Sequence, residues 1–331
     1  MDSHHRKERI SAVSMLLLAN AFWGLSFPLI KSLILLNQKL SPGNGIFIVA
    51  CTVAPRFLLG TVILALWQSR KTLQSDQPWL TRAEFNQGLY LGIFGAAGML
   101  LQNDALRFMD ASTSAFLTQF YALMIPLWLA LKHRKFPSAT IRISCILVLA
   151  GVAILGNFNW HNFTLGRGEW ETLLCSVFFM AQVFGVEGSS HTDCRHGKVT
   201  LVWLASEAIL FTCIGIFSGP TANAFWTPWT SLPWLGFTFA LTLFPTLGSF
   251  SIMSKWQSKI TATEAGLIYC FEPIFGSLFS LVLPALLSVW AMINYPNENL
   301  NSHLLIGGAL ITLANVLIQL NPPPKSQVKL E

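Results

Sequence analysis

The chain has 331 residues, of which 53% are hydrophobic and 11% charged, and its mean hydropathy is +0.54. A soluble domain carries about 25% charged residues, so this balance, with its long and frequent apolar runs, argues against one or two soluble domains. Continuous runs without period-two alternation argue against a transmembrane β-barrel. The net charge of +6 is scattered over short segments between those runs, which is the pattern of membrane topology and not of nucleic-acid binding.

Ten apolar segments are expected to cross a bilayer as helices, at roughly 13–33, 46–68, 86–106, 112–131, 142–157, 168–188, 200–218, 233–254, 262–284 and 303–320. Most are near the length of about 20 residues that the hydrocarbon core requires. The first run follows the basic HHRKER of residues 4–9 and so opens like a signal peptide. It continues to about Leu36 through Phe22, Trp23 and Pro28, and an uncleaved first span is expected. Within it Asn20, Trp23, Gly24, Phe27 and Lys31 share one helix face, the most polar and aromatic one, which is expected to face a cavity. Pro28 frees the carbonyl of Gly24 on that face. Lys31 either meets an anionic group or snorkels outward.

The second span holds Arg56. The third carries Gly88 and Gly92, a small-residue packing pair, and ends in Gln102, Asn103, Asp104 and Arg107, with Asp104 and Arg107 spaced to pair. The fourth places Ser112, Phe116, Gln119 and Leu123 on one face with Tyr121 nearby. The fifth and tenth have few polar residues, Asn315 being the main exception, and read as lipid-facing scaffold or an oligomer contact. A sequon, Asn162-Phe163-Thr164, lies in the loop after the fifth. The sixth carries Gln182 and, near its end, Glu187; the seventh carries Glu207. Between them His191 and His196 flank Asp193 and Cys194, read as a solvated loop with a metal site as the alternative.

The ninth span, residues 262–284, is the most informative. Glu272 stands near its middle, directly before Pro273. A carboxylate at the bilayer centre costs roughly 2.5–3.5 kcal/mol on insertion scales. Pro273 has no N–H to give and crowds the carbonyl of Tyr269. A lipid-facing helix would keep neither feature, whereas a helix lining a polar cavity uses both. Ala265, Tyr269, Glu272, Gly276 and Ser280 share one face; Tyr269 and Glu272, with Gln119, are assigned to the cavity and the smaller residues to packing.

Lys and Arg set the orientation. With the N-terminus inside, cytoplasmic segments hold sixteen of the 21 basic residues and outer segments four, Lys31, Lys39, Arg107 and Arg167. Both termini are thus expected in the cytoplasm, as the flanking segments 1–12 and 321–331. The halves 13–157 and 168–320 also resemble each other. ASTSAF at residues 111–116 parallels TATEAG at 261–266, and Arg56 precedes Thr61 by the interval at which Glu207 precedes Thr212. Five spans per copy is odd, so the second copy enters upside down and the site falls at the repeat interface. Arg56 and Glu207, at matched positions with opposite charge, are a candidate ion pair holding one state of the cycle, with separate interfacial residues as the alternative.

NAFWGLSFPLIK in the first span, RFLLG in the second, ASTSAFLTQFYALMIP in the fourth and TATEAGLIYCFEPIFGSLFS in the ninth resemble the EamA-type branch of the drug/metabolite transporter superfamily. The resemblance implies an all-α polytopic fold of ten helices in a 5+5 inverted repeat, a cavity between the halves and alternating access. It also implies that the fifth and tenth helices lie peripherally. The chain departs from the family where LPALLSVWAMINYPNENLNSH replaces a short acidic turn after the ninth span; this segment is either a lid or partner surface, or a tolerated insertion.

The expectation is therefore a secondary transporter of small metabolites in the cytoplasmic membrane, not an enzyme and without a cofactor. Its partners are the lipid bilayer, its substrate and, through Glu272, protons; a homo-oligomer is compatible. The cavity candidates are Asn20, Trp23, Phe27, Gln119, Tyr121, Gln182, Tyr269 and Glu272. There is no G-x-x-x-x-G-K-[ST] loop for ATP hydrolysis and no H-E-x-x-H. The rival readings are a polytopic membrane enzyme and a membrane sensor that transports nothing.

Overall fold

The computed structural model describes residues 3–72, 78–134, 136–155, 166–186, 194–221, 223–299 and 302–320. The sequon at Asn162, Glu187 and the His191 to Asp193 stretch lie outside the described residues, as do the side chains of Leu123 and Asn315. All regular structure among the described residues is helical.

The first helix, α1, runs unbroken from Ser3 to Leu40 and spans about 57 Å at 1.5 Å per residue. It therefore extends beyond the expected span at both ends. Its first turns contain no Gly or Pro to stop it, and Arg9 is fixed by a 2.9 Å ion pair to Glu264. Helices α2 (Gly45–Thr72) and α3 (Arg82–Ala105) follow. The fourth expected span is two helices, α4 (Ala111–Thr118) and α5 (Phe120–His133), and the fifth is α6 (Ala139–Leu155). In the second half α7 is Arg167–Val186 and α8 is His196–Ser218. The eighth expected span is composite: α9 (Leu232–Leu241), a π-helical stretch over Thr242–Ser249 that contains Pro245, and α10 (Phe250–Trp256). A proline inside a helix removes one ladder bond, and a π-bulge is one way the backbone absorbs it.

The ninth expected span is likewise not one element. It comprises α11 (Ala262–Tyr269), α12 (Glu272–Ser280) and α13 (Leu283–Ala291), with a 57° bend between Ala262–Ser280 and Leu283–Ala291. Proline stands in the first turn of both α12 and α13, where its missing N–H is harmless and starts a new helix. The last helix, α14, is Ser302–Leu320.

By length and composition five helical stretches among the described residues can cross a membrane, six if the bent pair is one span, and α6 and α14 add shorter apolar stretches. The chain is an all-α polytopic membrane protein. Helices α3 and α7, expected as spans, fall short of the same apolar standard. Their polar groups are covered by protein: α3 buries Gln87, Gln102, Asn103 and Asp104, and α7 buries Thr172, Ser176 and Gln182. The two pack on each other, and α3 also packs on α8.

Side-chain contacts order the helix ends into two faces. On the face where α1 begins, Arg9 meets Glu264 at the start of α11, Lys259 meets Glu8, and Arg195 before α8 meets Glu84 at the start of α3. On the opposite face Lys31 reaches the carbonyls of Leu106 and Met109 past the end of α3. There too Arg107 and Arg167 converge on Asp104. So α1 and α3 start on one face, and α7 starts on the other. Packing is exchanged between the halves in kind: α3 lies against α7 while α1 lies against α9 and α10, and α2 with α8 and α6 with α14 form the central and flanking pairs.

Candidate functional site

Two broken helices cross at the centre. At the first break Gln119 closes α4 with its N–H on the Phe116 carbonyl at 3.1 Å and begins α5 by accepting from Ala122 N at 2.9 Å. At the second, Cys270 and Phe271 donate to Leu267 and Ile268 in a tight turn, and Pro273 withholds the N–H that would have bonded Tyr269. Helix α4 packs on α12 and α5 on α11, so the breaks meet. Gln119 Nε2 donates to Glu272 Oε2 at 3.2 Å; Gln119 is fully buried and Glu272 is 7% exposed.

Beside this junction is a cavity that is partly open to solvent. Trp23, Ser26 and Ile30 of α1 line one wall, with Tyr121, Tyr269 and Glu272 next to the breaks. Gln182 and Phe179 of α7, Met99 and Gln102 of α3, and Arg56 of α2 complete the polar side. Pro245, Thr246, Phe250 and Met253 come from the π-helical stretch and α10. Trp23 packs edge-on against Tyr269 at 5.3 Å and tilted against Phe250 at 6.0 Å. The site thus combines an aromatic wall with a few oriented polar groups and two ionisable ones, Arg56 and Glu272.

Of the residues expected at a cavity, Trp23, Tyr121, Gln182, Tyr269 and Glu272 line this one; Asn20, Phe27 and Gln119 do not. Asn20 is turned onto backbone instead, donating to the carbonyls of Leu16 and of Ile268, the latter at 3.2 Å. It ties α1 to the turn after α11. Phe27 is core, 2% exposed. Gln119 lies one contact behind the wall, holding Glu272. The shared helix face of α1 is therefore split between cavity and helix packing, because a polar amide serves a neighbour's carbonyl as readily as a solvent-filled space. Lys31 neither snorkels nor meets a carboxylate as its hydrogen-bond partner: it caps the C-terminal end of α3, where the helix dipole favours a cation.

The Arg56–Glu207 ion pair is not made in this structure. Both side chains are buried, yet each has a different partner. Arg56 Nη2 donates to the thioether of Met99 at 3.2 Å, and Glu207 Oε1 accepts from the indole of Trp203 at 2.7 Å. The space a Cβ of Gly95 would fill is taken by the Glu207 carboxylate and the Gln182 amide, which sets these two side by side against α3. Gln182 donates to the Leu91 carbonyl at 2.7 Å.

Sequence reasoning missed Phe250, Met253 and Gln257. With Thr246 they fall on one face at helical spacing, the same signal that marked α1. Gln257 is fully buried and joins two elements: its Oε1 accepts from Tyr269 OH and its Nε2 donates to the Val183 carbonyl, both at 2.7 Å.

The described part of the inserted segment after α12 is packed on one side, while Leu286, Val289 and Met292 are exposed. Ala291 and Tyr295 are buried, and Trp290 stands edge-on to Phe237 at 5.0 Å. Glu298 donates its N–H to the Ser280 carbonyl at 2.9 Å and accepts from Ser112 N at the start of α4. Burial pushes the Glu298 carboxyl above the usual carboxylate range, against the hydrogen bond from Ser112.

A model of the EamA-like transporter family matches residues 10–157. A protein of Archaeoglobus fulgidus described as an uncharacterized transporter is 23% identical over 316 residues, covering 95% of this chain and 87% of that protein. A solved crystal structure shares the fold with a TM-score of 0.59 at 18% identity, covering 94% of this chain and 98% of the other.

Proposed function

We propose that this chain, whose residues 10–157 match a model of the EamA-like transporter family, works as a secondary carrier of small metabolites across the cytoplasmic membrane by alternating access. The observation that carries this reading is the meeting of two broken helices, one from each half, at Gln119 and Glu272 beside a cavity. Irregular backbone and a buried carboxylate at the centre of an apolar bundle belong to a transport path and not to a scaffold.

In this reading ten spans form a 5+5 inverted repeat, 13–157 and 168–320. The opposed starting faces of α1 and α7 support it, as does the exchange of packing partners between halves. The bias of sixteen basic residues against four puts both termini in the cytoplasm. Charged ties between the halves stand at both faces: Arg9–Glu264 and Arg195–Glu84 on one, Arg167–Asp104 on the other. Alternating access requires such ties to open in turn. Glu272 is the candidate proton carrier.

The test is reconstitution of the purified protein into liposomes with a panel of labelled metabolites. Saturable counterflow of at least one is expected. A protein that binds ligand with no counterflow and no exchange would be a sensor, and one that converts ligand would be an enzyme; either outcome removes the carrier reading.

A further inference from the structure

Arg56 follows Pro55 in α2 and is 2% exposed, yet no carboxylate oxygen of the described residues lies within ion-pairing distance of it. Among the described residues its side chain hydrogen-bonds only the Met99 sulfur, at 3.2 Å, its Nε has no hydrogen-bond partner, and its guanidinium carbon stands 5.2 Å from the centre of the Phe57 ring. The guanidinium presents five N–H donors in a planar fork, and a thioether is a weak acceptor for one of them. A buried cation left in this condition is costly unless something else pairs with it. Arg56 also lines the cavity.

We propose that Arg56 anchors the carboxylate of the transported molecule, and that the site takes organic monocarboxylates with an apolar or ring-bearing body. The inference rests on the cavity being the transport site. The fork of Arg56 matches a carboxylate in two parallel hydrogen bonds. The charge of the ligand follows from the neighbours. One arginine stands among two buried carboxyl groups: Glu272 lines the same cavity, and Glu207, held by Trp203, lies beside the cavity-lining Gln182. A dianion such as a phosphate monoester would meet more acid than base there, whereas a single carboxylate meets one fork. The body follows from the wall: Trp23, Phe179, Phe250, Met99 and Met253 offer aromatic faces and thioethers, which take up flat or aliphatic groups. Glu272 already holds the Gln119 amide, so a second charged group on the ligand is not required to satisfy the site.

The experiment uses the full chain in detergent or nanodiscs and reads tryptophan fluorescence and melting temperature. The probes share one skeleton: 3-phenylpropionate, 3-phenylpropanol, 3-phenylpropylamine and the zwitterion phenylalanine, with hexanoate for a chain in place of the ring. We expect the two acids to bind saturably and at least tenfold more tightly than the alcohol or the amine. Arg56→Gln should abolish the preference for acid over alcohol, and Arg56→Lys should retain part of it. The wild-type series needs no variant, so it decides the question even if Arg56→Gln fails to fold. Equal binding of alcohol and acid, preference for the amine, binding of phenylalanine without 3-phenylpropionate, binding of neither acid, or an acid preference intact in Arg56→Gln would each overturn the assignment. The two readings fail separately. If liposomes carry other solutes but no carboxylate, Arg56 is not the anchor and the carrier stands. If the acids bind through Arg56 and nothing is moved, the anchor stands and the carrier does not.

Discussion

Gln119 and Glu272 are separated by 153 residues in sequence and by 3.2 Å between Nε2 and Oε2. Each stands at the break of its own helix, so one hydrogen bond links the two irregular points of the bundle. The two partners are expected to respond differently to mutation. Gln119→Leu leaves a buried carboxyl group without its donor, and a lost partner of that kind costs about 1–3 kcal/mol; the melting temperature should fall. Glu272→Gln keeps a group that can accept from Gln119 and removes the titratable one. It should retain the melting temperature while counterflow drops on the order of tenfold, equivalent to about 1.4 kcal/mol on the barrier. Full flux in Glu272→Gln would exclude a role for the proton.

Tyr269 lines the cavity while its hydroxyl donates to Gln257 Oε1 at 2.7 Å. Through Gln257 it reaches the Val183 carbonyl of α7, so the aromatic wall is braced by a chain of two hydrogen bonds. Tyr269→Phe should cost about 1–3 kcal/mol, because the Gln257 oxygen is fully buried and loses its donor. Tyr269→Phe with Gln257→Leu should cost less than the two single changes added together. A double-mutant cycle by thermal unfolding measures this, and strict additivity would mean that the two side chains act apart.

Gly24 is a point of close approach between α1 and α12. A Cβ there would sit 2.5 Å from Phe275 Cβ and 2.7 Å from Gly276 N, and the latter is backbone that cannot move without parting the helices. Gly24→Ala should destabilise by about 1–3 kcal/mol as overpacking. Gly60 is the control, since a Cβ there would first meet Thr246 at an ordinary 3.4 Å. Gly60→Ala should be neutral or stabilise by up to about 1 kcal/mol through helix propensity. Equal losses at both sites would mean that the close approach of α1 to α12 does not govern packing.

The same residues show what a sequence discloses and what it withholds. Glu272 beside Pro273 was legible because an acid and a missing N–H are both costly in an apolar run, wherever the helix points. Asn20 was not, since its helix face is plain from spacing but its rotamer decides between cavity and the Ile268 carbonyl. Arg56 and Glu207 were matched by the repeat, yet matching positions do not bring two side chains into contact when Met99 and Trp203 are nearer partners. The Phe250, Met253 and Gln257 face keeps helical spacing with Thr246 but runs past the end of the expected eighth span at 254, and the π-helical stretch before it alters the register. The break at Pro273 was signalled by its missing N–H; the one at Gln119 was not, because a span that stops and restarts keeps the same hydropathy.

At the face where α1 begins, Glu84 and Arg195 make the most complete ion pair of the described residues. Glu84 closes the capping box with Thr81, accepts from Arg195 Nε at 2.7 Å and from Arg195 N at 3.0 Å, and its side chain is 1% exposed. Burial alone would raise its carboxyl; the hydrogen bonds from Arg195 and Thr81 and the charge of Arg195 outweigh it and hold Glu84 down at about 2, against an ordinary 4.5. A carboxyl group depressed on folding contributes stability that is full above the unfolded value and is lost as pH falls toward the folded one. The melting temperature should therefore drop between about pH 4.5 and about pH 2. The slope from this one group is at most about 1.4 kcal/mol per pH unit, and less after screening, because the Arg195 side chain is 31% exposed. Glu84→Gln should lower stability at neutral pH and flatten the acid limb, whereas Arg195→Lys keeps the charge, loses the fork and should keep part of the slope. An acid limb unchanged in Glu84→Gln would assign it to other carboxylates.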